Sequence, residues 1–276
     1  MSVTIRDRIR PGHRVGTMAL IGLVIIALLL LLAMIGGMVL PDPLRTHAGS
    51  AMQPPSADHW LGTDRYGRDV LSRTVAAVRV DLFIGVVVAL LSMTVGSLIG
   101  LLAGYVGGVV DEAITRCVDV LMAFPSFVLA IILVAVLGDS VPNVLIAVTI
   151  GFLPYFVRLT RVEVLREREL DYVTAARVVG NGRARIALRH LMPNVVGPSL
   201  VQATLVSGWA ILNASGLAFL GIGIRPPTPE WGVMVAEGAN DIITGQWWTS
   251  MVPGAMILVA VMAFHLVGDD LRGKQW

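Results

Sequence analysis

Long stretches without a charged residue are the dominant pattern along this chain. There are six of them, at 17–40, 82–110, 120–138, 140–157, 191–224 and 242–264. A helix rises about 1.5 Å per residue, so about 20 residues cross a hydrocarbon core of roughly 30 Å. A charge at mid-membrane costs about 2.5–3.5 kcal/mol, whereas each Leu or Ile returns only about 0.3–0.6 kcal/mol. The pattern therefore predicts an all-α, polytopic membrane protein with about six transmembrane helices.

Prolines and charges define the segments around the first span. Residues 1–16 form a basic N-terminus, 17–40 the first transmembrane helix and 41–81 an external loop. Pro41 ends the first helix, because proline has no N–H to continue it. Apolar residues at helical spacing within the loop predict a short surface helix over 64–79. Its apolar stripe comprises Val70, Leu71, Thr74, Val75 and Val78.

The remaining spans form a predicted five-helix core, 82–268, which is followed by a short C-terminal segment, 269–276. Pro125 and Pro154 lie inside the third and fourth spans, where each removes a backbone hydrogen bond and predicts a kink. The second span repeats glycine at every fourth position, near one helix face, which lets another helix approach closely in a membrane. These glycines are Gly96, Gly100, Gly104 and Gly108.

The longest internal loop, 158–193, is strongly basic and amphipathic. Residues on one face at helical spacing predict a helix from Val162 to Val179. Two glycines then break it, and a second helix is predicted from Arg183 to Pro193. A solvated loop beside anionic lipid headgroups would explain the basic charge. Small residues at mid-helix favour instead a helix that docks into the groove of a partner.

Composition and charge add the orientation of the spans. The chain is 55% hydrophobic and 14% charged, with a mean hydropathy of +0.78. Six crossings place both termini and most of the 21 Lys and Arg residues on one side, which is the cytoplasmic side by the positive-inside rule. The net charge of +2 and the pI near 9.0 therefore indicate basic internal loops rather than binding of nucleic acid. The first apolar run is longer than the roughly 7–15 residues of a secretory signal, so we interpret it as an uncleaved span.

Motifs for catalysis, metals or cofactors are not found in the sequence. Cys117 is the only cysteine, and the five histidines are scattered without ligand spacing. Neither H-E-x-x-H nor G-x-S-x-G occurs. Residues 268–274 match the first seven positions of a phosphate-binding loop, but Gln275 replaces the Ser or Thr that holds Mg²⁺. We therefore predict no catalytic residue, no metal site and no cofactor bound by this chain.

Polar residues interrupt the otherwise apolar fifth span. Gln202 and Asn213 are about three helical turns apart and share a face. Polar groups in lipid are expensive unless they face the bundle or water. The pattern predicts either a transport pathway or hydrogen bonds between helices. The candidate residues are Gln202, Thr204, Ser207, Asn213 and Ser215.

The basic loop resembles a known family. The sequence Asp171-Tyr-Val-Thr-Ala-Ala-Arg-Val-Val-Gly180, followed after nine intervening residues by His190-Leu-Met-Pro193, is similar to the EAA loop of ABC importer permeases. Thr174, His190 and Met192 stand where that pattern has Glu, Ile and Leu. Further segments resemble the dipeptide, oligopeptide and nickel branch of the family, and the likeness extends from 58 to 272. These segments are 59–73, 119–125, 219–232 and 268–272.

The resemblance implies the fold of a type I ABC importer permease in the cytoplasmic membrane of a prokaryote. It implies as partners a second homologous permease, one or two cytoplasmic ATPase subunits that use ATP and Mg²⁺, and an external solute-binding protein. The branch implies import of short peptides, with nickel complexes, haem or another small polar solute as alternatives. An ion-coupled secondary transporter is the alternative from another class, but the charge-free stretches offer no acid or Arg for a coupling ion. The residues expected to couple to the ATPase are Asp171, Thr174, Ala175, Ala176, Gly180, His190 and Pro193.

Overall fold

The computed structural model describes residues 16–273, so the predictions for 1–15 and 274–276 lie outside the described residues. Between 16 and 273 the regular elements are helices, with one isolated bridge from Thr63 to Asp69, and the all-α prediction is confirmed. The helices are α1 (Thr17–Val39), α2 (Val70–Val106), α3 (Gly108–Met122), α4 (Ser126–Leu137), α5 (Val141–Glu167), α6 (Asp171–Val178), α7 (Arg183–Arg185), α8 (Met192–Phe219), α9 (Trp231–Gly238) and α10 (Trp248–Arg272).

Five of the described helices are long and apolar enough to cross a membrane, in agreement with the prediction of about six spans. A sixth is obtained if α3 and α4, which meet at 90°, together form one broken span. The predicted single span 120–138 with Pro125 inside it is therefore wrong. Pro125 lies between the two helices, because it has no N–H for the preceding turn and its ring would clash with that turn. Pro154 does lie inside α5.

The predicted surface helix over 64–79 is also wrong as a separate element. α2 starts at Val70 and continues without a break to Val106. Asp69 caps it by accepting a hydrogen bond of 2.8 Å from the backbone N–H of Ser72. The predicted apolar stripe forms the first turns of this long helix, where Val70, Val75 and Val78 are buried.

Contacts at the helix ends define two sides of the bundle. The N–H of Gly16, before α1, donates to Asp270 near the end of α10 (3.1 Å). Arg168, just after α5, donates to the carbonyl of Gly104 near the end of α2 (2.7 Å). Arg79 in the first part of α2 donates to the carbonyl of Ala33 near the end of α1 (2.6 Å). Both described chain ends and α6 therefore lie on one side, called the α6 side, and the segments 40–69 and 220–247 lie on the other, called the α9 side.

The crossing of α2 with α5 brings the two backbones into contact. A Cβ on Gly96 would lie 2.6 Å from the Cβ of Phe156, and one on Gly100 would lie 2.5 Å from the carbonyl oxygen of Val157. Gly104 also packs closely on α5, at 2.9 Å, whereas Gly108 has nothing within 4 Å and begins α3. Gly108 is therefore not part of the predicted packing face.

Three buried hydroxyl groups add polar contacts at the same junction. Thr160 of α5 donates to Ser97 of α2 at 3.0 Å and lies 3.2 Å from the hydroxyl of Ser199 in α8. All three side chains are buried. Buried polar groups are stable in an apolar bundle only when hydrogen-bonded, so this triad also fixes α8 against the other two spans.

The sequence predicted that the helix after the glycine break ends at Pro193. In the structure this helix continues beyond Pro193. α7, a π-helical segment (Ile186–Leu191) and α8 form one continuous helix from Arg183 to Phe219. Pro193 lies in the first turn of α8, where it follows the wider π turn directly. Insertion of a π turn before a proline lets the helix continue although one backbone donor is missing.

Candidate functional site

The segment that was predicted to couple to an ATPase is a short helix, α6, with a defined start and end. It begins at Asp171 and ends before Gly180, which has φ +83°. The N–H of Gly180 donates to the carbonyl of Arg177 (3.0 Å), and the N–H of Asn181 donates to that of Ala176 (3.2 Å). This pair of bonds is a Schellman motif, and its left-handed position requires glycine.

One face of α6 is exposed, and its C-terminal end is apolar. Asp171, Thr174 and Ala175 point away from the bundle. Val178 and Val179 continue this face and are 82% and 81% exposed. Both valines were missing from the predicted coupling set, although an apolar pair directly before a glycine in a basic loop was a usable signal. Exposed apolar residues in such a cluster are typical of a surface that contacts another protein or the membrane.

The opposite face of α6 is buried against the chain's own helices. Val173 is fully buried and Ala176 is 8% exposed. The prediction that Ala176 contacts a partner is therefore wrong, because its side chain lies inside this chain. The apolar cluster around it, called the α6 cluster, comprises Leu101, Val164, Val173, Ala176, Ile186, Leu191 and Val195.

His190 and Pro193 lie in the continuous helix that follows, not on the exposed face of α6. His190 is half-buried in the π-helical segment, and its carbonyl accepts a hydrogen bond of 2.6 Å from the Asn194 side chain. Pro193 is exposed. The structure thus brings four of the predicted residues together on one surface: Asp171, Thr174, Ala175 and Gly180.

Two arginines of the basic segment hold α3 in place beside α5. Arg161 binds Asp111 through both carboxylate oxygens, with the second contact at 2.7 Å. The Arg161 guanidinium stabilises the ionised carboxylate of Asp111 mainly through the hydrogen bonds that it donates, and in addition through its positive charge. Arg158 binds Asp119 at 2.6 Å. Part of the basic charge therefore orients helices on the α6 side and is not free to bind lipid headgroups.

A cavity of about 680 Å³ lies between α4, α5 and α8. Among the described residues, no charged side chain lines it. Tyr155 and Trp209 are both close to half exposed, so the cavity opens on the outside of this chain. The wall is mostly aromatic and aliphatic, with two amides as its main polar groups. The lining residues are Ser126, Phe127, Phe152, Tyr155, Gln202, Val206, Trp209, Leu212, Asn213 and Gly216.

The predicted pathway residues fall into two groups. Gln202 and Asn213 line the cavity, and the Asn213 amide donates to the carbonyl of Trp209 at 2.8 Å. Ser207 is buried and donates to the carbonyl of Ala203 in its own helix (3.0 Å), so it does not line the cavity. Thr204, which likewise bonds within α8, is not part of the wall either.

Ser215 also lies away from the cavity, in a buried polar cluster under α9. Its hydroxyl is 2.8 Å from a carboxylate oxygen of Glu230 and 3.3 Å from one of Asp81. Asp81 further accepts from the backbone N–H of Trp231 (3.2 Å), and Glu230 caps α9 through the N–H of Val233 (2.7 Å). The pathway interpretation of Ser215 is wrong, because its side chain links α8 to α2 and α9.

The segment 40–69 is fastened to α9 by a network of buried ion pairs, called the α9-side network. Arg73 binds Asp64 at 2.6 Å and Glu237 at 2.9 Å. Arg68 binds the same two acids, at 2.6 Å and 3.0 Å. The two guanidinium groups are 1% and 4% exposed, so this square of alternating charges is shielded from water. At its edge, Arg65 pairs with Asp241 at 3.2 Å and is 39% exposed.

Metal-binding chemistry is not found in the described part of the chain. No group of three or more His, Cys, Asp or Glu side chains there could hold a metal ion. His265, which lies behind the cavity wall, has its ring 5.8 Å from the Trp209 ring in an edge-on arrangement. Its Nδ1 is bonded to the carbonyl of Val261 (2.9 Å).

Known sequences give a consistent set of relatives. The sequence model of the binding-protein-dependent transport system inner membrane component family matches residues 96–271. A dipeptide transport system permease of Alkalihalophilus pseudofirmus is 40% identical over 256 residues, which cover 92% of this chain and 84% of that protein. A di/tripeptide transport system permease of Pseudomonas aeruginosa is 43% identical over 261 residues (92% and 86%). A nickel transport system permease of Escherichia coli is 42% identical over 253 residues (91% of each).

The fold is similar to that of a solved chain of the MetNI methionine ABC transporter in inward-facing conformations. The TM-score is 0.58 with 16% sequence identity, and the match covers 73% of this chain and 95% of that chain. A likeness at this identity concerns the fold alone, and it confirms the predicted fold class.

Proposed function

Since the chain belongs to the family of binding-protein-dependent transport system inner membrane components, we propose that it is the permease subunit through which an ATP-driven importer carries short peptides. The proposal that the solute is a short peptide rests on the cavity between α4, α5 and α8. A peptide with free ends is zwitterionic and varies in its side chains, so a pathway for many peptides needs weak and generic contacts. The amides of Gln202 and Asn213 offer such contacts to backbone groups, and the aromatic wall tolerates different side chains.

Nickel is the second candidate, because one relative is a nickel transport permease. A bare Ni²⁺ ion prefers imidazole, thiolate or carboxylate ligands. None of these groups is among the cavity-lining residues that the structure describes, and His265 is turned toward its own helix backbone. The lining therefore disfavours the free ion, whereas a chelated metal would meet the same neutral wall as a peptide.

The proposal assigns each partner protein to a different surface of this chain. The exposed face of α6 would dock a cytoplasmic ATPase, which would use the ATP and Mg²⁺ and leave this chain non-catalytic. A second permease would close the open side of the cavity, so that the pathway runs between the two chains. An external binding protein would deliver the solute to the α9 side. The contact between Gly16 and Asp270 supports placing both termini together on the cytoplasmic α6 side.

The solute is tested by deleting the gene for this chain and supplying peptides as the only source of a required amino acid. We expect growth on peptides to be lost and to return when the chain is expressed again, while nickel accumulation stays unchanged. Unchanged growth on peptides together with lost nickel uptake would overturn the peptide assignment in favour of a metal complex.

The orientation is tested with single cysteines in a Cys117→Ser background. Gly49 and Gly182 have nothing within 4 Å of an added Cβ, so Gly49→Cys and Gly182→Cys are accommodated at both sites. In intact cells, a membrane-impermeant thiol reagent is expected to label position 49 only. Permeabilised cells are the control and should show labelling at both positions. Labelling of position 182 in intact cells would reverse the proposed orientation.

A further inference from the structure

The contacts of α6 with its own chain differ in kind. On the buried face, the side chains of Val173 and Ala176 pack in the α6 cluster. Apolar packing is non-directional. It holds α6 against the bundle but does not determine which transmembrane helix moves when α6 is displaced. A directional contact is needed if docking of a partner on the exposed face is to move a particular transmembrane helix.

The hydroxyl of Tyr172 makes such directional contacts on both sides of the loop. It donates to Glu167, the last residue of α5, with an Oη to Oε2 distance of 2.8 Å. It accepts from the side-chain amide of Asn194 in the first turn of α8, with a distance of 3.3 Å. One atom of α6 is thus bonded to the ends of the two spans that flank the loop.

The connection continues into the π-helical segment. The same amide nitrogen of Asn194 donates to the carbonyl of His190 at 2.6 Å. A π turn is wider than an α turn and commonly marks a functional position in a helix. From there α8 runs without a break to Gln202, Trp209 and Asn213 in the cavity wall.

We infer that the Tyr172 hydroxyl is the positioning group that transmits movement of α6 to α5 and α8, and so couples ATP hydrolysis to the cavity. This inference rests on the proposed function of the chain as an importer subunit driven through α6. Tyr172 touches neither solute nor nucleotide in this proposal. Its role is to hold α6 and the start of α8 together while a partner moves α6.

The test uses the complete transporter, with its partner subunits, reconstituted in lipid vesicles. Tyr172→Phe keeps the ring and removes only the hydroxyl. We expect peptide uptake per ATP hydrolysed to fall about fivefold to tenfold, the shift that corresponds to losing one or two side-chain hydrogen bonds. The amount of assembled transporter and the KM for ATP are expected to stay unchanged, which separates lost coupling from lost folding.

Tyr105→Phe is the matched control. Tyr105 packs against the same α6 cluster and is likewise half-buried, but within 16–273 its hydroxyl makes no hydrogen bond. We expect wild-type coupling from it. Asn194→Ala should also lower coupling, but less than Tyr172→Phe, because the bond between Tyr172 and Glu167 remains. The double variant should be close to Tyr172→Phe, because the connection from Tyr172 to α8 is already broken in that variant. Equal coupling in Tyr172→Phe and Tyr105→Phe would overturn the inference.

A second readout does not depend on the solute. A spin label at Leu212→Cys, in the Cys117→Ser background, reports movement of the cavity wall when ATP is added. We expect the signal to change in the otherwise wild-type transporter and to change much less in Tyr172→Phe. If the wild-type transporter takes up no peptide, the proposed solute is wrong, while the label still decides the role of Tyr172. An ATP-dependent change of normal size in Tyr172→Phe would contradict that role.

Discussion

Ala176→Glu is expected to destabilise the chain itself and to reduce its level in the membrane. The Ala176 side chain is buried in the α6 cluster, and none of the cluster members is charged. A glutamate there would bring an uncompensated charge and additional volume into a packed site, at a cost of about 3–5 kcal/mol. The measurement is the thermal unfolding midpoint of the purified chain in detergent, together with its level in membranes.

Ala175→Glu is the matched control, one position away on the exposed face of α6. Surface changes of this kind alter stability by about 0.5 kcal/mol or less, so the chain should insert and unfold as the wild type does. Its expected defect is loss of ATPase association, because the new charge lies on the proposed docking surface beside Val178. A normal unfolding midpoint for Ala176→Glu, combined with lost ATPase association, would instead place Ala176 on the docking face.

The difference between these two alanines shows where reasoning from sequence reached its limit. The EAA-like spacing correctly located a helix, a glycine break and a second helix. The helical spacing from Val162 to Val179 was treated as one continuous helix, but α5 ends at Glu167 and α6 begins at Asp171. A break of three residues changes the rotational phase of the second helix. The sequence pattern therefore located the helix that is proposed to couple to an ATPase, but not which of its faces is exposed.

The transmembrane helices were predictable because the physical rule behind them is strong. The charge-free stretch 17–40 corresponds to α1, Thr17–Val39, nearly residue for residue. The rule fails where an acidic side chain is buried and hydrogen-bonded within the protein itself. Asp81 set the start of the second predicted span at residue 82, yet it lies inside α2 and accepts a backbone hydrogen bond from Trp231, 150 residues away along the chain. The spacing of residues along the sequence does not predict such a long-range contact.

The cavity was only half predictable for the same reason. Polar residues in an apolar span show that a polar environment exists, but two such environments occur in α8. Gln202 and Asn213 face the cavity, whereas Ser215 faces Glu230 of the α9 segment. A separation of eleven residues correctly paired the first two residues on one helix face. Assigning the serine required the position of α9, which is set by long-range contacts.

Arg73→Met is expected to have a comparably large effect on the α9 side. Removing this guanidinium leaves Asp64 and Glu237 with Arg68 as their remaining buried partner, so one carboxylate lacks a counter-charge. Breaking a buried ion pair in this way costs about 3–5 kcal/mol. We expect a lower unfolding midpoint in detergent and faster cleavage of the segment 40–69 by a protease added from outside.

A second change should reverse most of this loss. Adding Glu237→Gln restores neutrality, and the methionine also removes two buried donors of Arg73, Nε and Nη2, that have no partner within the described residues. The double variant leaves Arg68 and Asp64 as a charge-balanced buried pair, so it should unfold close to the wild-type midpoint. Arg65→Met is the matched control at the exposed edge of the network and should cost less than about 1 kcal/mol. Equal losses from Arg65→Met and Arg73→Met would mean that burial of the network contributes nothing to fastening the segment to α9.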